Sequence, residues 1–153
     1  MFGQRVSEYL RFQKVPLAIL AAVGLARLGL SLAGTPDRTV AWLSMNVVTW
    51  AAALYYGAAV HTRGFGSYKQ LLPLALFQML LQQVIAVAGI LLAIAGFPNV
   101  FAAPEFSMGV QNQWIHLLAH LTIGIVVPTL MLWGVASLVL LITRKVSRRP
   151  AVA

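Results

Sequence analysis

Residues 114–143 read WIHLLAHLTIGIVVPTLMLWGVASLVLLIT, an unbroken run without one acidic, lysine or arginine side chain. A helix needs about 20 predominantly apolar residues to cross the hydrocarbon core of a bilayer. This stretch exceeds that length, so it is expected to tilt, kink or project. Pro128 lies inside it. A proline has no N–H to give, so the carbonyl of Gly124 is freed and a kink is predicted.

Three further apolar runs stand upstream, at about 15–33, 40–60 and 71–97. Pro16 and Pro73 fall near the starts of the first and third, where a missing N–H costs little. All four runs are continuously apolar. Closed barrels, the other way of satisfying a backbone in lipid, need short segments of alternating polarity. The expected fold is therefore an all-α membrane protein, a four-helix transmembrane bundle in one domain (residues 15–143). It is flanked by an interfacial segment at 1–14 and a basic tail at 144–153.

Composition agrees. Of 153 residues, 60% are hydrophobic and 9% charged, against about 25% charged in an average soluble domain. A small soluble fold keeps too much of its surface wet to hide that excess. The formal charge of +8 is carried by short tracts between the apolar runs, which is the pattern of membrane topology and not of nucleic-acid binding. The absence of cysteine removes thiol and disulfide chemistry.

The tracts set an orientation. Arg5, Arg11 and Lys14 precede the first run, Arg63 and Lys69 separate the second from the third, and Arg144, Lys145, Arg148 and Arg149 follow the fourth. They alternate onto one side. The other side carries Arg38 beside Asp37, and Glu105. The positive-inside rule then expects both termini in the cytoplasm, in a membrane of the bacterial inner (plasma) type. Arg27 interrupts the first run, which argues against a cleaved signal sequence and for a retained helix. Residues 1–14 mix aromatic and basic side chains, compatible with an interfacial helix or with a frayed basic tail. Trp42 and Trp114 read as interfacial anchors.

Polar side chains within spans are costly and face the bundle interior. Gly24, Arg27 and Ser31 share one face of the first helix by their spacing of three and four. Asn46, Thr49, Ala53 and Tyr56 share one face of the second, Gln78, Gln82 and Gly89 of the third, and His116, His120 and Gly124 of the fourth. At about 1.5 Å rise per residue, Arg27, Asn46 and His120 fall at one depth in the outer half. A candidate outer polar pocket is thus expected from Arg27, Asn46, Gln82, His116 and His120, with the loop 98–113 as its lid. Asn46 and His120 are the expected partners of the Arg27 guanidinium.

Each feature also has a plain structural role. Arg27 can snorkel to the surface, the glutamines can glue helices together, and histidines near a helix end can hydrogen-bond at the interface. Ala22/Ala26 and Gly89/Ala93 are small-residue pairs that let helices approach. His116 and His120 have the i, i+4 spacing of a metal pair, but no H-E-x-x-H pattern and no carboxylate accompany them within a span. Neither a metal nor another cofactor is expected. His61 lies towards the opposite membrane face.

The tract Gly64-Phe65-Gly66-Ser67-Tyr68-Lys69 lacks the spacing and the GK[ST] ending of a phosphate-binding loop and reads as a tight turn. Together with the apolar helix that follows (GFGSYKQLLPLALFQ, within residues 57–96), it resembles the loop and helix of bacterial Yip1-type integral membrane proteins. The resemblance covers about a quarter of the chain. Those families usually have five spans, against four here, and the resemblance implies at most a membrane-embedded, non-enzymatic role.

Glu8, Asp37 and Glu105 are the only acids, and none pairs with another in sequence. Acid–base hydrolysis and proton pumping lack their usual carboxylates. The expected function is a non-catalytic structural or accessory subunit of a membrane assembly, whose partners are the bilayer and other membrane subunits or copies of itself, without nucleic acid. A small transporter or channel using the outer cavity, and a haem- or quinone-binding redox subunit using His116 or His120, are the alternatives.

Overall fold

The computed structural model describes residues 2–102 and 113–147. Among them every regular element is helical. The order is α1 (Val6–Phe12), α2 (Lys14–Leu32), α3 (Asp37–Val40), α4 (Met45–Thr62), α5 (Tyr68–Ile94), a 3-10 turn (Val100–Ala102), α6 (Gln113–Leu121) and α7 (Ile123–Ser147). Four helical units are long and apolar enough to cross a membrane: α2, α3 with α4, α5, and α6 with α7. These match the four apolar runs. Residues 144–147 of the basic tail continue α7, while its remainder, residues 148–153, and most of the expected lid, residues 103–112, lie outside the described residues.

The helix ends are written locally. Ser44 caps α4 by accepting from the Val47 N–H at 3.4 Å. Ser67 opens α5, and the Gln70 side chain reaches back to its backbone N–H at 2.7 Å. The tract at residues 64–69 is therefore a turn that ends in a capping box. Gly64 sits at φ 62° just past α4, a left-handed position that a residue with a Cβ adopts at a cost, and Phe65 N–H closes the helix end on Val60 O at 3.0 Å.

The fourth run is broken at Thr122 and not at Pro128, which lies inside α7. Thr122 Oγ1 donates to the Leu118 carbonyl at 2.8 Å. Such back-bonding competes with the helix ladder and bends it. Gly124 and Pro128 follow within the next two turns, inside α7.

α4, α5 and α7 form the tight centre of the bundle, and α2 packs on the α4–α5 side. Gly57 decides the α4–α7 approach. A Cβ there would lie 2.5 Å from the Ala136 carbonyl oxygen and 2.6 Å from Val139 Cβ. Gly24 does the same for α2, against Met45 Sδ at 2.6 Å and Ile85. Of the expected small-residue pairs, Ala22 and Ala26 are not buried, and Gly89 receives the Phe101 ring and not another helix.

The bundle has two unlike ends. The basic end carries α1, the 63–67 turn and the last turns of α7. There α1 is docked, with Tyr9 fully buried beside Phe65 and Phe77. Burial, and the Glu8 carboxylate next to it, hold the Tyr9 phenol above its usual pKa. Arg144 reaches the same turn, with its guanidinium 5.0 Å from the Tyr68 ring. The far end carries α3, the 3-10 turn and α6. Asn99 Nδ2 donates to Gly89 O at 2.7 Å, and Val100 N–H donates to Ser31 Oγ at 2.8 Å, which draws the start of the long loop across α2 and α5.

Candidate functional site

The polar faces read from spacing meet each other towards the far end. Asn46 and Thr49 stand one turn apart on α4 and converge on Gln82 of α5. Thr49 Oγ1 donates to Gln82 Oε1 at 2.6 Å, and Gln82 Nε2 donates to Asn46 Oδ1 at 2.9 Å. The next residue, Gln83, turns to the fourth helix. Its Nε2 donates to the Gly124 carbonyl at 2.7 Å. That is the carbonyl Pro128 leaves without an intrahelical donor.

This bond fixes the protons of the histidine pair. With Gln83 Nε2 spent on Gly124, its Oε1 faces His120 Nδ1 at 2.6 Å and can only accept, so His120 carries its proton on Nδ1. The neutral ring then offers a lone pair at Nε2, 3.1 Å from His116 Nε2. His116 must donate there, which leaves its Nδ1 as an acceptor. That nitrogen is buried without a hydrogen-bond partner among the described residues. A proline on α7 thus sets, through one glutamine of α5, the tautomers of both imidazoles.

Beside this network lies a recess of about 320 Å³, lined by Asn46, Thr49, Gln82, Gln83 and His120 and by the apolar walls of Met79 and Leu132. It is blind. Towards the basic end, the space among Thr49, Ala53, Tyr56, Leu132 and Ala136 leaves no room for a water molecule. Below that, Tyr56 OH lies 2.8 Å from Gln78 Oε1 and 3.2 Å from Gln13 Oε1. One phenolic proton cannot serve both oxygens, and the shorter contact with Gln78 is the donated one.

Of the five residues expected together, Asn46, Gln82 and His120 line the recess, and His116 stands behind His120. Arg27 is elsewhere. Its guanidinium bonds Asp37 Oδ1 at 2.8 Å and reaches the Leu43 carbonyl at 3.5 Å, not Asn46 or His120. The reason is local. Gly34 and the short α3 fold the chain back over the end of α2, which brings a carboxylate to the nearest long cation. Thr49, which stood in the polar stripe of the second run, and Gln83, which neighbours Gln82 of the third, also belong to the network. Among the described residues, no three His, Asp, Glu or Cys side chains gather as metal ligands would.

Comparison with protein-family models, with curated proteins and with solved structures finds no match in any of the three.

Proposed function

We propose that the chain is a non-catalytic integral membrane protein with four spans and both termini cytoplasmic, acting as a structural or accessory subunit of a membrane assembly. The observation that carries the reading is how the polar groups of the long helices are used. Thr49, Asn46 and Gln82 bond one another, Gln83 bonds Gly124 and His120, and Tyr56 bonds Gln78. These are interhelical bonds, the glue of bundles in lipid. Asp37 is paired with Arg27, and the Glu8 carboxylate accepts from the Arg5 backbone at the start of α1. A membrane-embedded role without catalysis is also what a Yip1-type relationship would imply.

Two helices present more apolar surface than the bundle itself uses. α2 buries only Leu20, Gly24 and Leu28, and α6 buries none of its residues. Lipid or a second subunit covers such faces. The test is mild extraction from the native membrane followed by native mass spectrometry, with reconstitution of the isolated chain in parallel. The expected result is a discrete assembly of fixed stoichiometry, and proteoliposomes that pass neither ions nor small solutes.

A second reading is favoured by the recess beside Gln82: a site for a small polar solute, and hence a transporter. Its blind end towards Tyr56 counts against a static channel. Solute flux in proteoliposomes that is abolished by Gln82→Leu would replace the accessory reading with this one.

A further inference from the structure

Gly24 brings α2 against Met45 of α4. Towards the basic end the same two helices bound a groove of about 580 Å³, within the range of about 300–1,000 Å³ that holds organic ligands. Val15 and Ile19 of α2 form one wall, and Val48 and Ala51 of α4 the other. Its basic end is different. Arg11, Lys14 and Arg63 stand there, and no acidic residue lines any part of the groove. The Arg63 guanidinium lies 5.4 Å from the Tyr55 ring and 5.9 Å from the Phe12 ring. These aromatic faces hold the charge at the rim by cation–π attraction. None of the three cations has an ion-pair partner among the described residues.

We propose that this groove is a binding site for one anionic glycerophospholipid. Its phosphate sits among Arg11, Lys14 and Arg63, and an acyl chain lies along Val15, Ile19, Val48 and Ala51. The charge pattern selects this occupant. A partner helix laid in the groove would cover three unpaired cations with apolar side chains. A phosphodiester neutralises them, and arginine matches its oxygens with a planar fork. Basic pockets between membrane helices hold anionic headgroups on the same logic. A second basic cluster at this end offers a contrast. The recess beside Arg144 and Lys145 is otherwise lined by Tyr68 and Leu141, so it offers an acyl chain one aliphatic side chain where the groove offers Val15, Ile19, Val48 and Ala51. The inference is independent of the accessory role proposed above, since a lipid can sit in the groove whether or not a partner subunit exists.

The test is a titration of the delipidated full-length chain with phosphatidylglycerol and phosphatidylcholine of identical acyl chains, followed by native mass spectrometry. The wild type should take up one phosphatidylglycerol before any phosphatidylcholine. Lys14→Gln and Arg63→Gln should each weaken that first adduct about fivefold, with the weaker phosphatidylcholine binding unchanged. Arg63→Lys should retain most of it. Ala51→Trp fills the apolar trough and should remove the adduct for both lipids. Ile19→Trp fills it from the opposite wall and serves if Ala51→Trp misfolds by circular dichroism. Lys69→Gln with Lys145→Gln should leave the adduct intact. An equal loss in that control, a retained adduct in both tryptophan variants, or displacement by millimolar inorganic phosphate would overturn the proposal. So would a lipid-free dimer that Ala51→Trp dissociates, because the groove would then belong to a second copy.

Discussion

Gln83 of α5 donates to the carbonyl of Gly124 on α7 at 2.7 Å, and that carbonyl is open because Pro128 stands four residues later. The proline and the glutamine are therefore one device. Gln83→Leu should cost about 1–3 kcal/mol, since both Gly124 O and His120 Nδ1 lose their partners. Pro128→Ala restores an intrahelical N–H for Gly124. In that background Gln83→Leu should cost less, with a coupling of about 0.5–1 kcal/mol. Folded fraction measured by denaturing-detergent titration across the four-member cycle reads this directly, and strict additivity would show the two residues to be independent.

Arg27 and Asp37 form an ion pair at 2.8 Å with the carboxylate 56% exposed. Exposed pairs contribute about 0–1 kcal/mol. Asp37→Asn should therefore change stability by no more than that, and 0.5 M salt should shrink the difference further. Arg27→Lys should be nearly neutral. A loss above about 2 kcal/mol in Arg27→Lys would mean that the guanidinium has buried partners beyond Asp37 and the Leu43 carbonyl.

The four apolar runs located the long helices, because span length and continuous hydrophobicity leave few alternatives, but the second run took in the turn before α4 at Met45 and the fourth hid the break at Thr122. Helical spacing also found the interior faces, and Asn46, Thr49, Gln78 and Gln82 are all bonded across them. What spacing cannot supply is rotation of one helix about its neighbour. Gln82 and Gln83 are adjacent in sequence, yet they face α4 and α7 respectively. Depth along α2 misplaces Arg27 because the three-methylene reach of its guanidinium and the folded-back α3 matter more there. The docking of α1 was half legible. The aromatic content was visible, but the seat of Tyr9 between Phe65 and Phe77 depends on where the 63–67 turn places its rings.

Gly57 and Gly134 make an internal comparison. A Cβ on Gly57 meets the Ala136 carbonyl oxygen at 2.5 Å, whereas one on Gly134 meets nothing within 4 Å. Gly57→Ala forces α4 and α7 apart and should cost about 1–3 kcal/mol. Gly134→Ala removes a helix-interior glycine without a clash and should be neutral or stabilising by up to about 1 kcal/mol. Thermal melting of both variants in one detergent checks the sign of each. Equal effects would mean that the α4–α7 spacing is not set by Gly57.

His116 and His120 share one helical turn, so both Nε2 atoms point to one place and cannot take opposite sides of a haem iron. Their Nε2 atoms are also engaged with each other and His120 Nδ1 with Gln83, which leaves only the buried His116 Nδ1 open. Purified protein should show no Soret band and no stoichiometric transition metal by elemental analysis. A Soret band that disappears in His120→Ala would require the His120 Nε2–His116 Nε2 contact to be broken in the native protein and would promote the redox alternative.

Orientation is the remaining expectation with a direct measurement. Arg63 and Lys69 flank the turn between α4 and α5, and Arg144 and Lys145 close α7 at that same end of the bundle. The far end carries Arg38 and the Arg27–Asp37 pair, which is neutral as a unit. Cations resist translocation, so the basic end should remain cytoplasmic. A reporter fused after residue 153 should give a cytoplasmic signal, and one inserted at residues 98–113 an external signal. The bias rests on few charges, so it should be reversible. Replacing Arg63, Lys69, Arg144 and Lys145 with glutamine while adding lysines beside Arg38 should produce a mixed or inverted topology. Identical signals from the two wild-type fusions would mean that the fourth run does not cross the membrane, which contradicts the four-span arrangement.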